Sequence, residues 1–302
     1  MAPREITADQ FGTNDSSSYA AELRRIAAAC DAADDVITLN EQACLQLKYR
    51  GLRDARLWLS GEDAPAGFAL LHGGILDLAV HPDARDKGVG TALARAALSH
   101  TGHVEAWSHA DHPAAAKIAE RFGLARERDL RIMSRPTSEP VELAPLPAGV
   151  SIRTFTPADE EALLAINAHA FATHPEQGHM TEEDFRERTS EPWFDPQGLF
   201  LAVDADDPGE VLGFHWTKVH RDETPPYGEV YVVAVSPKAA GKGLGTLLTQ
   251  VGLQHLAESG VGEVILYVDG DNDAATAVYE NQGFRVVRTE AQYRGTPVLE
   301  AS

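Results

Sequence analysis

Val233-Ala234-Val235-Ser236-Pro237-Lys238-Ala239-Ala240-Gly241-Lys242-Gly243-Leu244-Gly245-Thr246 is the stretch on which the fold turns. A β-branched run ends at Val235, Pro237 stops it, and a glycine-rich turn opens onto a helix. That helix shows in Leu244, Leu247, Leu248 and Val251, which recur at i, i+3, i+4 and i+7. Backbone N–H groups at such a turn, with the positive end of the helix, form an anion nest. Glycine lets the chain approach a pyrophosphate without Cβ clashes. No Gly-Lys-Ser/Thr stands at P-loop spacing, and the spacing does not fit the dinucleotide-binding fingerprint.

The same device occurs twice. Residues 78–93 align with 233–248, and nine of the sixteen positions are identical. The first copy runs through Leu78, Ala79 and Val80 to Arg85, Asp86, Lys87, Gly88, Val89, Gly90 and Thr91. Further on, Trp107, His112 and Gly123 echo Tyr267, Asn272 and Gly283 at a constant offset. Two echoes in one order mean a tandem duplication. Between the copies, Pro136, Pro140, Pro145 and Pro147 punctuate a polar stretch that reads as a semi-rigid linker. The expected organisation is a domain over 1–135, a linker over 136–149 and a domain over 150–302.

Within the second half, Leu199–Val203, Val211–Val219, Glu229–Val235 and Glu263–Val268 read as strands. Thr156, Pro157 and Asp159 carry the signals of a helix start, and Ala274–Glu280 reads as a last helix before Gly283. The class is α/β with a mixed sheet (α+β in its pairing), built twice.

Composition limits the partners. The 302 residues carry a net charge of −20, which disfavours duplex DNA, RNA and anionic membranes as general partners. No apolar run approaches the roughly 18 to 20 residues of a membrane span. The start Met1-Ala2-Pro3-Arg4-Glu5 lacks the pattern of a secretory signal, so a cytoplasmic location is expected, and separately a monomer is expected. Cys30 and Cys44 cannot build a disulfide framework. His109 and His112 lie three apart without further ligand-rich sequence, so no metal is expected.

These features resemble two copies of the GNAT acetyltransferase fold. The resemblance implies acetyl-CoA as co-substrate, its pantetheine arm paired with the strand and its pyrophosphate in the loop. In the second half the implied contacts are Val233, Ala234, Val235, Ala240, Gly241, Lys242, Gly243, Leu244, Gly245 and Thr246. They continue through Asn272, Asp273, Ala274, Ala275, Thr276 and Ala277. The family usually leads the loop with Gln or Arg; Arg85 fits in the first half, whereas Ala240 stands there in the second.

Acetyl transfer to an amine needs a base for the ammonium and an acid for the departing thiolate. Glu229 lies six residues before Val235, so uninterrupted alternation would put both side chains on one sheet face. Its carboxylate is the candidate base. Tyr279, within a run that resembles the family's Asn…Ala…Tyr…Gly-Phe ending, is the candidate acid. With no cysteine in the second half, direct transfer is expected rather than a covalent acyl intermediate. The first half has Gly74 and Ala119 at these positions, so it is expected to bind acetyl-CoA without catalysing transfer.

A narrower resemblance lies in His174-Pro175-Glu176-Gln177-Gly178, Trp193-Phe194-Asp195-Pro196, Gly213–His220 and Gly228–Val233. These strings, with Leu266-Tyr267-Val268-Asp269, resemble the mycothiol synthase family of tandem GNAT proteins. That family acetylates the cysteinyl amine of cysteinyl-glucosaminyl-inositol. The resemblance implies that Glu41, Glu176, Lys218, Glu229 and Tyr267 line the substrate site. The rival readings are an N-acetyltransferase for another small amine and a non-catalytic acetyl-CoA sensor.

Overall fold

The structure is a computed structural model, and it describes residues 2–11, 18–61, 64–172, 178 and 180–299. Its strands are β1 (Pro3–Ile6), β2 (Ala55–Ser60), β3 (Gly67–His72), β4 (Ile75–Val80), β5 (Val104–Ser108) and β6 (Ala125–Pro136). They continue as β7 (Val150–Thr154), β8 (Leu199–Asp204), β9 (Val211–His220), β10 (Tyr227–Val235), β11 (Glu263–Asp269) and β12 (Arg285–Gly295). The helices are α1 (Ala8–Phe11), α2 (Ser18–Asp34), α3 (Glu41–Leu45), α4 (Val89–Leu98) and α5 (Pro113–Arg121). After them come α6 (Glu160–Ala170), α7 (Glu182–Thr189), α8 (Leu244–Glu258) and α9 (Asp273–Glu280).

The chain forms two compact units: Met1–Leu130 with Arg288–Ser302, and Arg131–Val287. This division differs from the one expected at the prolines. The end of β6 belongs to the second unit, and most of β12 belongs to the first. The reason is strand pairing: Ala291 and Tyr293 of β12 stand opposite Ser108 and Ala106 of β5. The proline-rich stretch is tied to the second unit rather than spanning a gap. Thr137 N–H donates to Gly262 O at 3.0 Å, and Ala144 N–H donates to Gln250 Oε1 at 2.7 Å.

Strand order in the first unit is β1-β2-β3-β4-β5-β12, and in the second β6-β11-β10-β9-β8-β7. Among the described residues, β1–β2, β2–β3, β3–β4, β5–β12, β7–β8, β8–β9 and β9–β10 pair antiparallel, whereas β4–β5 and β10–β11 pair parallel. Each sheet is covered on both faces. In the first unit, Leu23 and Ile26 of α2 pack on Leu57 and Phe68, while Leu93 and Ala97 of α4 pack on Ala69 and Leu76. In the second, Leu163 and Ile166 of α6 cover Phe214 and Trp216, while Leu253 and Leu256 of α8 cover Val230 and Val264.

Local signals place the elements that carry the site. Pro157–Asp159 is a 3-10 turn leading into α6, and Thr156 and Asp159 form a capping box around it. Helix α8 buries Leu244, Leu247 and Leu248 as their spacing predicts. It lies close to β9, because a Cβ added at Gly252 would collide with the His215 ring. Among the described residues, no helix is long and apolar enough to cross a membrane.

Candidate active site

Both glycine loops have one backbone shape. Gly243 (φ +75°) caps α8 and Gly88 (φ +78°) caps α4, each left-handed and without a side-chain capping bond. The first helical acceptances reach Leu247 N and Ala92 N. The N–H groups of Leu244, Gly245 and Thr246, and of Val89, Gly90 and Thr91, therefore have no acceptor within their helices. A Cβ at Gly241, Gly243 or Gly88 would meet nothing within 4 Å, so positive φ at an open surface selects glycine there. Where the second loop has Gly241 (φ +75°), the first has Asp86 (φ +58°), one of the residues that tolerate this conformation.

Arg85 does more than lead the first loop. Its guanidinium meets both carboxylate oxygens of Asp34, at 2.7 and 2.6 Å, and its Nε donates to Val80 O at 3.2 Å. Ala240 has no side chain for such a bridge, and the second loop is tied instead by Lys238 Nζ, which donates to Glu210 Oε1 at 2.7 Å.

The strand leading into each loop parts from its parallel neighbour. Among the described residues, the only registered pair between β4 and β5 is Ile75 with Glu105. Between β10 and β11 there are two, Gly228 with Val264 and Glu229 with Ile265. Beyond them Val233, Ala234 and Val235 stay in register with His215, Phe214 and Gly213 of β9 on one edge only. In the first unit the parting opens a cavity of about 530 Å³, lined by Leu78–Val80 and by all of Arg85–Thr91 except Lys87.

Glu229 is buried at the last position of β10 that pairs with β11. The expectation that it shares a face with Val235 is corrected by the structure. A bulge between Val230 and Val232 shifts the register and reverses the alternation. Val235 packs with Leu244 and Leu248 on the α8 face, whereas Glu229 stands opposite Lys218 on the other face. Parallel register places Ile265, and hence Tyr267 two residues on, on that same face.

Three expected residues are therefore brought together: Lys218, Glu229 and Tyr267. Lys218 is buried, with Nζ 4.5 Å from the Trp193 ring centroid and 5.4 Å from that of Tyr231. Its ammonium is held by ring quadrupoles. Tyr267 is 38% exposed. Glu41 opens α3 in the first unit behind the Asn40 cap, and Glu176 lies outside the described residues.

A residue without an assigned role in the sequence reading also belongs here. His220 Nε2 lies 2.6 Å from Glu229 Oε2, and its ring stacks on Tyr227 with centroids 4.3 Å apart. The available signal was the alternation Lys218-x-His220, which puts both on one face of β9.

Tyr279 approaches from the opposite face. It packs at the edge of the Val230, Val264 and Phe284 cluster, edge-on to the Phe284 ring at 5.9 Å. Burial pushes its phenol above the ordinary range, so it keeps its proton. Asn272 Oδ1 accepts from Ala275 N at 3.0 Å and so caps α9, fixing the turn from Asp273 to Ala277. Thr276 Oγ1 accepts from Arg131 Nη1 at 3.2 Å. Among the described residues, no group of three or more His, Cys, Asp and Glu is placed to hold a metal.

A doubled glycine loop beneath a parted strand pair, with a buried carboxylate at the fork, defines a class. Residues 43–124 and 163–284 match the acetyltransferase (GNAT) family, and the chain belongs to that family. It is 46% identical to the mycothiol acetyltransferase of Nocardia farcinica over 90% of this chain and 92% of that one. It is 48% identical to the mycothiol acetyltransferase of Thermobispora bispora, covering 89% and 93% of the two chains. Among solved structures, a GCN5-related N-acetyltransferase from Sphaerobacter thermophilus superposes with TM-score 0.67 at 23% identity, covering 99% and 97%. A tandem GNAT protein from the clavulanic acid pathway gives 0.64 at 20% identity, covering 82% and 84%. These two share the fold.

Proposed function

We propose that the second unit transfers acetyl from acetyl-CoA to the cysteinyl amine of cysteinyl-glucosaminyl-inositol, as a mycothiol acetyltransferase. The observation that carries this reading is Glu229, buried at the fork where β10 leaves β11, above the loop that opens α8. The unpaired edge of Val233–Val235 receives the pantetheine amides, and the N–H groups of Gly243–Thr246 receive the pyrophosphate. Glu229 takes the ammonium proton through water, and the freed amine attacks the thioester carbonyl. The C–N bond forms, the C–S bond breaks, Tyr279 gives its proton to the leaving sulfur, and the second proton leaving the amine nitrogen restores the Tyr279 phenol through water. Lys218 and Tyr267, on the face of Glu229, supply hydrogen bonds to the sugar and cyclitol hydroxyls. The first unit holds a second acetyl-CoA in its cavity and does not acetylate the amine. Among the described residues, the cavity's parted strand and Gly88 cap match those of the second unit.

The test is mass detection of N-acetyl products from a panel of amines with acetyl-CoA. Acetylation of cysteinyl-glucosaminyl-inositol well above aminoglycosides and peptide amines is expected. Preference for another amine would overturn the substrate, and absence of any transfer would overturn the enzyme.

A further inference from the structure

Half-to-half alignment assigns the first unit neither the base nor the acid of the second, yet its cavity wall carries ionisable groups. Asp77 of β4 and His109, immediately after β5, both line the cavity. His109 Nδ1 lies 3.0 Å from Glu290 Oε2, and Glu290 is buried. Glu290 sits on β12, next to Ala291, which pairs with Ser108, so register delivers it. His109 Nε2 makes no hydrogen bond among the described residues. A carboxylate holding one ring nitrogen of a cavity-lining histidine fixes its tautomer and leaves the other nitrogen for proton transfer. Asp77 is itself paired, with its Oδ2 2.9 Å from His72 Nε2.

The groups facing His109 are Glu290 and Arg288 from β12 and Asp77 from β4. Burial opposes its protonation and Arg288 works in the same direction. Glu290 and Asp77 outweigh them and raise it above the ordinary value.

We propose that the first-unit cavity is a second catalytic site, in which His109, oriented by Glu290, activates water against a bound acyl-CoA thioester. This rests on the reading that the cavity binds acetyl-CoA. Neutral Nε2 takes a proton from water as the water oxygen bonds to the thioester carbonyl carbon. The C–S bond then breaks, and Nε2 passes the proton to the departing sulfur. The products are the carboxylic acid and the CoA thiol. Water is the acceptor because the residues that would hold an amine are replaced: Gly74 stands for Glu229 and Trp107 for Tyr267.

The experiment uses the full chain carrying Gly243→Trp, which blocks the second loop. Calorimetry counts the acetyl-CoA still bound, and a thiol reagent follows CoA release without any amine. One remaining site is expected, with slow release that rises with pH and falls about 100-fold in His109→Asn. Glu290→Gln keeps the shape of the pair and moves the midpoint of that rise to lower pH, an effect a merely structural pair would not produce. Retained binding with no release overturns the catalytic proposal and leaves the binding reading standing. Release that ignores both His109→Asn and Glu290→Gln does the same. Loss of all binding overturns the binding reading, and the proposal with it.

Discussion

His220→Ala tests whether Glu229 acts alone. The change removes a 2.6 Å contact to a carboxylate whose side chain is only 10% exposed, so bulk water cannot freely replace it. A hydrogen bond to a charged group contributes about 1.5 to 3 kcal/mol, which converts to roughly a 10- to 150-fold fall in kcat. The KM for acetyl-CoA should hold, because His220 ends β9 at the Tyr227 pair, whereas the expected cofactor edge begins at Val233. His220→Gln, which keeps a donor, should recover part of the loss. Steady-state kinetics with both substrates varied separates these terms. An unchanged kcat in His220→Ala, or a loss confined to the KM for acetyl-CoA, would refute the argument.

Tyr279→Phe should lower kcat by about 100-fold or more, with acetyl-CoA affinity kept, since the proposed mechanism takes the thiolate's proton from this half-buried phenol, which keeps its proton; stopped-flow and calorimetry together check both halves. Gly252→Ala drives a methyl into the His215 ring beneath α8, and such overpacking costs about 1 to 3 kcal/mol, read as a lower urea midpoint. Stability should also fall on acidification, in two windows. Burial holds the His215 imidazole down to about 4, so the fold needs its neutral form. Destabilisation therefore begins below its ordinary value near 6.5 and reaches about 3 kcal/mol at pH 4. Arg153, bonded to Asp159 at 2.6 Å, lowers that carboxyl to about 2, so a further contribution of about 2 kcal/mol is lost between roughly pH 4 and 2. Denaturant titrations at stepped pH should show His215→Gln abolishing the upper window and leaving the lower.

What the chain determined by itself is what short range determines. Pro237 and the glycines at 241 and 243 spell a strand end and a left-handed helix cap, because φ preferences act within a few residues. The leucines of α8 spell a buried face, and the doubled string spells two copies of one unit. The site was half legible on the same terms: Glu229, Lys218 and Tyr267 do share a face, and the loops have one backbone shape. Tertiary structure decided the rest. The bulge at Val230/Val232 reverses every side chain after it, and cross-strand packing rather than local sequence chooses a bulge. His220 finds Glu229 only when β9 pairs with β10, and β12 carries Glu290 to His109 across 181 residues of chain. Such partners meet through strand register, and register is settled by which faces the whole sheet buries.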